Sequence, residues 1–376
     1  MAGAPSLAGP ETGMKVCLIS TEIFSWGKAG GFGRAARTIG RELVQRGVRV
    51  YAVVPRRGNQ RPVEELDGIT VLGFPRHWPA AAAELCRSTG ADLFHSCELS
   101  YATLAAMRAL PDRKHVVTFR DPRDWEDWKL EFARPSLNRL QVAGNWFYES
   151  NPLLARAVRR MDRTFCAARY MIPKVVGMYR LQRDPSFLPT PVAIPPAPSK
   201  ASTPTVCYMA RLDRRKRPEL FFELARRFPQ VRFLAAGKSR DAGYERQLRA
   251  TYDQLPNLTF LGFIDQFADS AHSDILGSSW IMVNTASREG LPNSFLEASA
   301  HRCAILSQGN PDGFASQFGY HAAADDFSAG LAWLLEGNRW RAAGERGFAC
   351  VRDTFATDRA INLHLAAYGE ILGAGF

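Results

Sequence analysis

The sequence holds no apolar run of about 18 residues, the length a membrane-spanning helix requires. Residues 1–13 contain no Lys or Arg, so they lack the basic start of a secretory signal. They read as an extension ahead of a domain that starts at Met14-Lys15-Val16. No C-x-x-C, H-x-x-x-H or D-x-D pair is placed as a metal site. The seven cysteines (Cys17, Cys86, Cys97, Cys166, Cys207, Cys303 and Cys350) are odd in number, and most lie in apolar stretches. That pattern excludes a disulfide framework and suits buried thiols in a reducing, cytoplasmic setting. Acidic residues are the scarcer charge: 37 Asp and Glu against 48 Lys and Arg, a formal net charge of +11. Such a balance favours anionic partners. The basic groups are short, as in Arg56-Arg57 and Arg214-Arg215-Lys216-Arg217, and no nucleic-acid role is expected from charge alone.

What is present is enough for two domains, since 376 residues divide at ~100–200 residues each. Val16–Ser20 is an apolar run suited to a buried parallel strand, and a Gly-rich loop from Gly27 to Gly33 follows it. A helical pattern covers about 34–46 and stops at Gly47, and strand patterns recur at 48–54, 69–74, 93–95 and 116–119. Seven prolines between Pro185 and Pro204 forbid a regular element and mark a connection. The same grammar then restarts, with strand patterns at 206–209, 231–236, 258–261, 280–284 and 304–307 and helices at 219–227 and about 292–300. The division expected is 1–13 as extension, 14–195 and 196–356 as two Rossmann-like α/β domains, and 357–376 as a final amphipathic helix. In doubly wound sheets ligands sit at the carboxyl ends of strands, which directs attention to the loops there.

The most informative loop runs from Ser287 to Ala298. It follows an apolar strand and opens a helix, with Pro292 suited to the first helical turn. The helix start offers backbone N–H groups at Asn293 and Ser294, a ready seat for a phosphate. Glu297 lies one turn beyond Asn293 on the same face, placed for a ribose diol, and Glu289 precedes the helix. The plainer alternative is a helix-stabilising Glu297 and a surface Glu289.

Glu289-Gly290-Leu291-Pro292 and Glu297-Ala298 resemble the E-x7-E signature of glycosyltransferase family 4, retaining enzymes of the GT-B fold. Arg211 and Lys216 match that family's spacing of an Arg and a Lys after a strand, although Ala210 replaces a Gly. Gly30-Gly31-Phe32-Gly33 matches its Gly-Gly loop, and Gly262-Phe263 its corner near the nucleotide base. The resemblance implies two Rossmann-like domains facing across a cleft, with a C-terminal helix crossing back to the first. It implies a UDP- or GDP-type sugar donor and a glycan, lipid-linked or other hydroxyl acceptor, with no metal or other cofactor. By resemblance, Arg211, Lys216 and Glu289 are catalytic. Gly30, Gly31, Gly262, Phe263, Gly290, Leu291, Pro292, Asn293, Ser294 and Glu297 complete the donor set.

The pattern departs from the family at Thr118-Phe119-Arg120-Asp121, where Arg120 stands in place of a cleft histidine. Arginine is a permanent cation and cannot titrate near neutrality. Phe32, His95, Arg120 and Asp121 are the acceptor-side candidates, with His95 equally suited to a structural role. Trp125-Glu126-Asp127-Trp128 suits either an acceptor wall or an amphipathic packing loop. Region 159–183 interleaves basic residues with Ile172, Val175, Val176 and Met178. It suits peripheral contact with an anionic inner membrane face, or simply a basic helical surface. Two rival functions remain: a nucleotide-sugar epimerase or hydrolase on the same fold, and a donor-binding module without activity.

Overall fold

A computed structural model describes residues 13–27, 30–135 and 138–373. The extension expected over 1–13 lies, but for Gly13, outside these residues, as do Lys28 and Ala29 of the Gly-rich loop and the last residues of the expected 357–376 helix. The chain forms two compact units, Met1–Pro122 with Phe147–Pro191 and Thr357–Phe376, and Arg123–Trp146 with Val192–Ala356. One segment thus departs from an unbroken first domain over 14–195: residues 123–146 belong to the second unit.

The first unit is built on β1 (Lys15–Ile19), β2 (Arg49–Pro55), β3 (Val63–Leu66), β4 (Ile69–Phe74), β5 (Leu93–Ser96), β6 (Lys114–Phe119), β7 (Arg163–Cys166) and β8 (Ser186–Phe187). The sheet order is β3-β4-β2-β1-β5-β6-β7-β8, parallel except for the β3–β4 pair. Its helices are α1 (Gly31–Gln45), α2 (Ala82–Thr89) and α3 (Tyr101–Ala109), then α6 (Pro152–Val158) and α7 (Met171–Tyr179) after α4 (Trp125–Ala133) and α5 (Arg139–Glu149). α1 buries Ala35, Ala36, Ile39 and Leu43, the helical spacing of one apolar face. Chain direction across the sheet reverses between β1 and β5, so the loops after these strands flank a switch point.

The second unit holds β9 (Thr205–Met209), β10 (Arg232–Ala236), β11 (Leu258–Gly262), β12 (Ile281–Asn284), β13 (Ala304–Ser307) and β14 (Gly319–His321) in the order β11-β10-β9-β12-β13-β14. The strands are parallel and the inner four, β9, β10, β12 and β13, are largely buried, which explains why these read as continuous apolar runs. Around them lie α8 (Pro218–Arg227), α9 (Ala242–Tyr252), α10 (Ala271–Ser278), α11 (Asn293–Ala300), α12 (Phe314–Phe318), α13 (Phe327–Leu335) and α14 (Arg339–Thr354). The reversal falls between β9 and β12, and the loops after these two strands carry Arg211 and Lys216 on one side and Glu289 on the other.

The last helix, α15 (Thr357–Leu372), returns to the first unit. It buries Ile361 and Tyr368 among Val16, Leu18 and Leu43. Burying one such side chain contributes ~1.5–3 kcal/mol. Cys17, Cys86, Cys97, Cys166, Cys207 and Cys303 are buried free thiols, as their apolar surroundings imply, and Cys350 is half-buried.

Candidate functional site

The chain leaving β9 is held against β10 by backbone hydrogen bonds from Ala210 N–H to the Ala236 carbonyl (3.2 Å) and from Leu212 N–H to the Lys238 carbonyl (3.3 Å). This approach requires glycine at 237, where φ is +154° and any Cβ would collide with the Ala210 carbonyl. Tyr208 Oη donates to the Arg211 carbonyl at 3.1 Å, and Arg211 Nη1 lies 2.9 Å from Asp213 Oδ2. A short 3-10 turn over Arg214–Lys216 then aims Lys216 back toward the sheet end. Its carbonyl accepts from Thr285 Oγ1 at 2.6 Å. Arg217, buried and with φ +48°, donates to the Thr285 carbonyl (2.7 Å), Asp325 (2.7 Å) and Gln308 (2.5 Å). The two loops of the switch point are therefore tied together by side chains that donate to each other's backbone carbonyls.

Across that tie, Lys216 Nζ forms an ion pair with Glu289 Oε1, and both side chains are less than one-fifth exposed. Burial holds the Lys216 ammonium below its usual range, against the opposing pull of Glu289, while Arg211 adds to the lowering. Arg215 lowers it more than Arg211 does. Pro292 stands immediately before α11, one place earlier than the expected first helical turn, and as the N-cap residue it makes no side-chain cap bond. Gly290 and Ser294 are buried, and Leu291, Pro292 and Asn293 half-buried. Glu297 sits on α11 with Oε2 3.2 Å from His272 Nε2. Gly262 ends β11 with φ +71°, accepts from Gly237 N–H at 2.7 Å and leaves Phe263 51% exposed.

The sequence reading missed what fixes these loops. Arg288 and Arg215, the residues directly before Glu289 and Lys216, both turn to α4. Arg215 Nη1 donates to Glu131 Oε1 at 2.5 Å, Arg288 Nη1 lies 3.6 Å from the same oxygen, and Arg288 Nε lies 2.8 Å from Asp127 Oδ1. Arg123 Nη1 adds a third contact to Glu131 at 4.0 Å. Asp127, Glu131 and Arg288 are buried. A signal for α4 was present: Asp124 and Asp127 stand at capping-box spacing. Each accepts from the other's backbone N–H, at 3.0 and 3.1 Å. The stretch 125–128 is therefore the first turn of a helix rather than a loop.

In the first unit, the β1–α1 loop is shaped by Glu22. Its Oε1 accepts from Gly33 N–H at 3.2 Å and occupies the space a Cβ at Gly30 would need, which accounts for glycine there. Gly31 is exposed and Phe32 half-buried. Glu98, in the loop after β5, accepts from Ser20 Oγ at 3.1 Å and from Thr21 N–H, and burial raises its pKa. His95 is not on a binding surface. It is fully buried, with Nδ1 2.6 Å from Tyr368 Oη and Nε2 2.7 Å from Thr118 Oγ1, so both ring nitrogens are satisfied in the core. Arg120 is 7% exposed and donates through Nη1 to Thr190 Oγ1 at 2.5 Å. Its Nε and Nη2 find no hydrogen-bond partner among the described residues. Asp121 beside it is half-buried.

Chemically, the second unit offers two cations, a carboxylate and a helix start at a sheet switch point, the means to stabilise charge on a departing diphosphate.

The family model described as Glycosyl transferases group 1 matches residues 193–345, and that described as Glycosyltransferase Family 4 matches residues 29–193. No curated protein matches the sequence. Sucrose-phosphate synthase from Thermosynechococcus elongatus is similar in structure, with a TM-score of 0.75 at 15% identity over 96% of this chain and 100% of that one. HepE of Anabaena in complex with UDP-glucose has a TM-score of 0.71 at 13% identity, covering 95% of this chain and 100% of that one. The pneumococcal O-GlcNAc transferase GtfA, in complex with UDP and GlcNAc, has a TM-score of 0.68 at 12% identity over 96% and 99%. At these identities the likeness shows the fold, GT-B, with two parallel-sheet α/β units. The two family matches, which together run from residue 29 to 345, support a GT-B glycosyltransferase of the group 1 kind.

Proposed function

We propose that the chain is a retaining glycosyltransferase that moves a sugar from a UDP- or GDP-type donor to a hydroxyl of a glycan, lipid-linked or other acceptor, with no metal. The observation that carries this reading is the Lys216–Glu289 pair, set near Arg211 and in the loop that leads into the start of α11. As the bond from the sugar C1 to the diphosphate oxygen breaks, its electron pair goes to the diphosphate. Arg211, Lys216 and the α11 N–H groups stabilise that charge. The acceptor oxygen attacks the same face, and its proton ends on the leaving phosphate. Glu289 holds donor sugar hydroxyls, Glu297 the ribose diol, and Phe263 offers an exposed ring to the base. Gly30 and Gly31 belong to the reading only through the family resemblance, since Glu22 fills the space beside Gly30, and Phe32 and Asp121 remain acceptor-side candidates. UDP as the nucleotide draws support from the similar structures, HepE with UDP-glucose and GtfA with UDP and GlcNAc.

The test is incubation of EDTA-treated protein with UDP- and GDP-sugars and a panel of hydroxyl acceptors, with the product's anomeric configuration read by NMR. Retention without added metal is expected. Inversion, or a strict metal requirement, contradicts the mechanism. A changed sugar formed without acceptor favours the epimerase reading. No described helix is long and apolar enough to cross a membrane. Peripheral membrane contact through the basic 159–183 region is a further element of the proposal, read by sedimentation with anionic vesicles.

A further inference from the structure

The α4–α5 segment and the strand-end loops of the second unit enclose a cavity of about 230 Å³. Its walls carry Arg123, Arg211, Arg215 and Arg240 against Glu131 and Asp213, four guanidinium groups facing two carboxylates. The acids are already engaged: Asp213 by Arg211 at 2.9 Å, Glu131 by Arg215 at 2.5 Å and additionally by Arg288 at 3.6 Å. Arg240 is exposed and has no ion pair or hydrogen bond of its own among the described residues. The wall also offers the amide groups of Gln141 and Asn145. The cavity is thus short of negative charge and rich in planar donors, the chemistry that recognises an oxyanion by paired N–H bonds.

Its place separates it from the donor. Lys216, Glu289 and Glu297 do not line it, and Arg211 alone is shared with the proposed diphosphate site. It is smaller than the ~300–1,000 Å³ of sites that hold a whole ligand, so it suits a headgroup rather than an entire nucleotide sugar.

We infer that this cavity seats an oxyanion group of the acceptor, a phosphate, sulfate or carboxylate, beside the donor. The inference rests on the reading of Arg211 and Lys216 as the donor diphosphate's cations. Such an acceptor would present its hydroxyl next to the reacting sugar while its anionic group is held by Arg240, Arg123 and Arg215.

The test is calorimetric titration of inorganic phosphate, inorganic sulfate and acetate into the full-length protein, with and without saturating UDP. One anion is expected to bind in both conditions, and the strongest of the three names the chemistry. Arg240→Ala should weaken it roughly tenfold or more, the worth of one charge-assisted hydrogen bond, and Arg240→Glu further still. Its effect on UDP affinity should be much smaller. Arg232→Ala, an exposed arginine outside the cavity, controls for net charge and should leave the anion's affinity unchanged. Loss of anion binding once UDP saturates the protein would make the cavity part of the diphosphate site and overturn the inference. So would equal anion affinity in Arg240→Ala. Failure of UDP to bind the wild type removes the donor reading and with it the acceptor assignment. A wild-type anion response lost in Arg240→Ala would then still uphold an anion cavity.

Discussion

Lys216 and Glu289 close an ion pair between the loops after β9 and β12, and each is preceded by an arginine anchored on α4. A donor diphosphate must draw Lys216 away from Glu289 or share it. Removing the two partners should therefore act in opposite directions on nucleotide binding. Glu289→Gln should tighten free diphosphate, because the buried ammonium loses its internal anion, while lowering transfer by roughly a hundredfold or more. Lys216→Ala should weaken the diphosphate and lower transfer as well. Titration of nucleoside diphosphates alongside initial rates checks both. Weaker diphosphate binding in Glu289→Gln would contradict the arrangement.

Glu131 is the shared anchor. Its neutralisation in Glu131→Gln leaves the buried Arg288 and the half-buried Arg215 with less compensation, and breaking such a buried arrangement costs ~3–5 kcal/mol. The denaturation midpoint should drop accordingly. A loss under ~1 kcal/mol would mean that the loops hold themselves without α4.

Glu297 is placed to bond a ribose. Glu297→Ala should weaken the nucleoside diphosphate roughly tenfold and abolish its advantage over the 2′,3′-dideoxy analogue, since a bond to the diol is worth about one decade. A variant that still discriminates the two nucleotides would assign the diol to another residue.

The buried histidines of the first unit predict a pH response. Burial pushes His95 well below its usual range, with His364 and Arg120 adding to the effect, and burial pushes His364 down to about 3. Both are neutral when folded, whereas the unfolded chain takes up protons below about pH 6.5. Stability is therefore complete above about 6.5 and falls as pH drops toward 3, by up to ~1.4 kcal/mol per pH unit for each histidine. Unfolding free energies at pH 7 and pH 5 should show that loss, and His364→Asn should flatten the slope. A wild-type profile flat over that interval would contradict neutral burial.

The alternating strands and helices were legible because parallel strands covered on both faces become uninterrupted apolar runs, and Ala304–Ser307 was read to the residue. The Glu289 and Glu297 loop was legible because its Gly, Pro and small residues have a local mechanical reason. The hold of α4 on that loop was not. Glu131 and Arg288 are 157 positions apart, and nothing local in either segment announces the pairing. The Asp124 capping box predicts a helix start but no destination for it. His95 shows the opposite limit: a strand end reads as a binding position, yet α15 returns over it and Tyr368 takes up its Nδ1. The early register of Pro292 is a smaller case, since helix starts are set within a residue or two by the turn before them.

The central claim is that Arg211, Lys216, Glu289 and Glu297 surround one nucleoside diphosphate. The most direct measurement is a crystal structure with the tightest-binding nucleoside diphosphate. The account predicts its phosphates within hydrogen-bond distance of Arg211 and Lys216 and at the start of α11, with the ribose hydroxyls on Glu297. A nucleotide seated elsewhere, with the Lys216–Glu289 pair untouched, would contradict it.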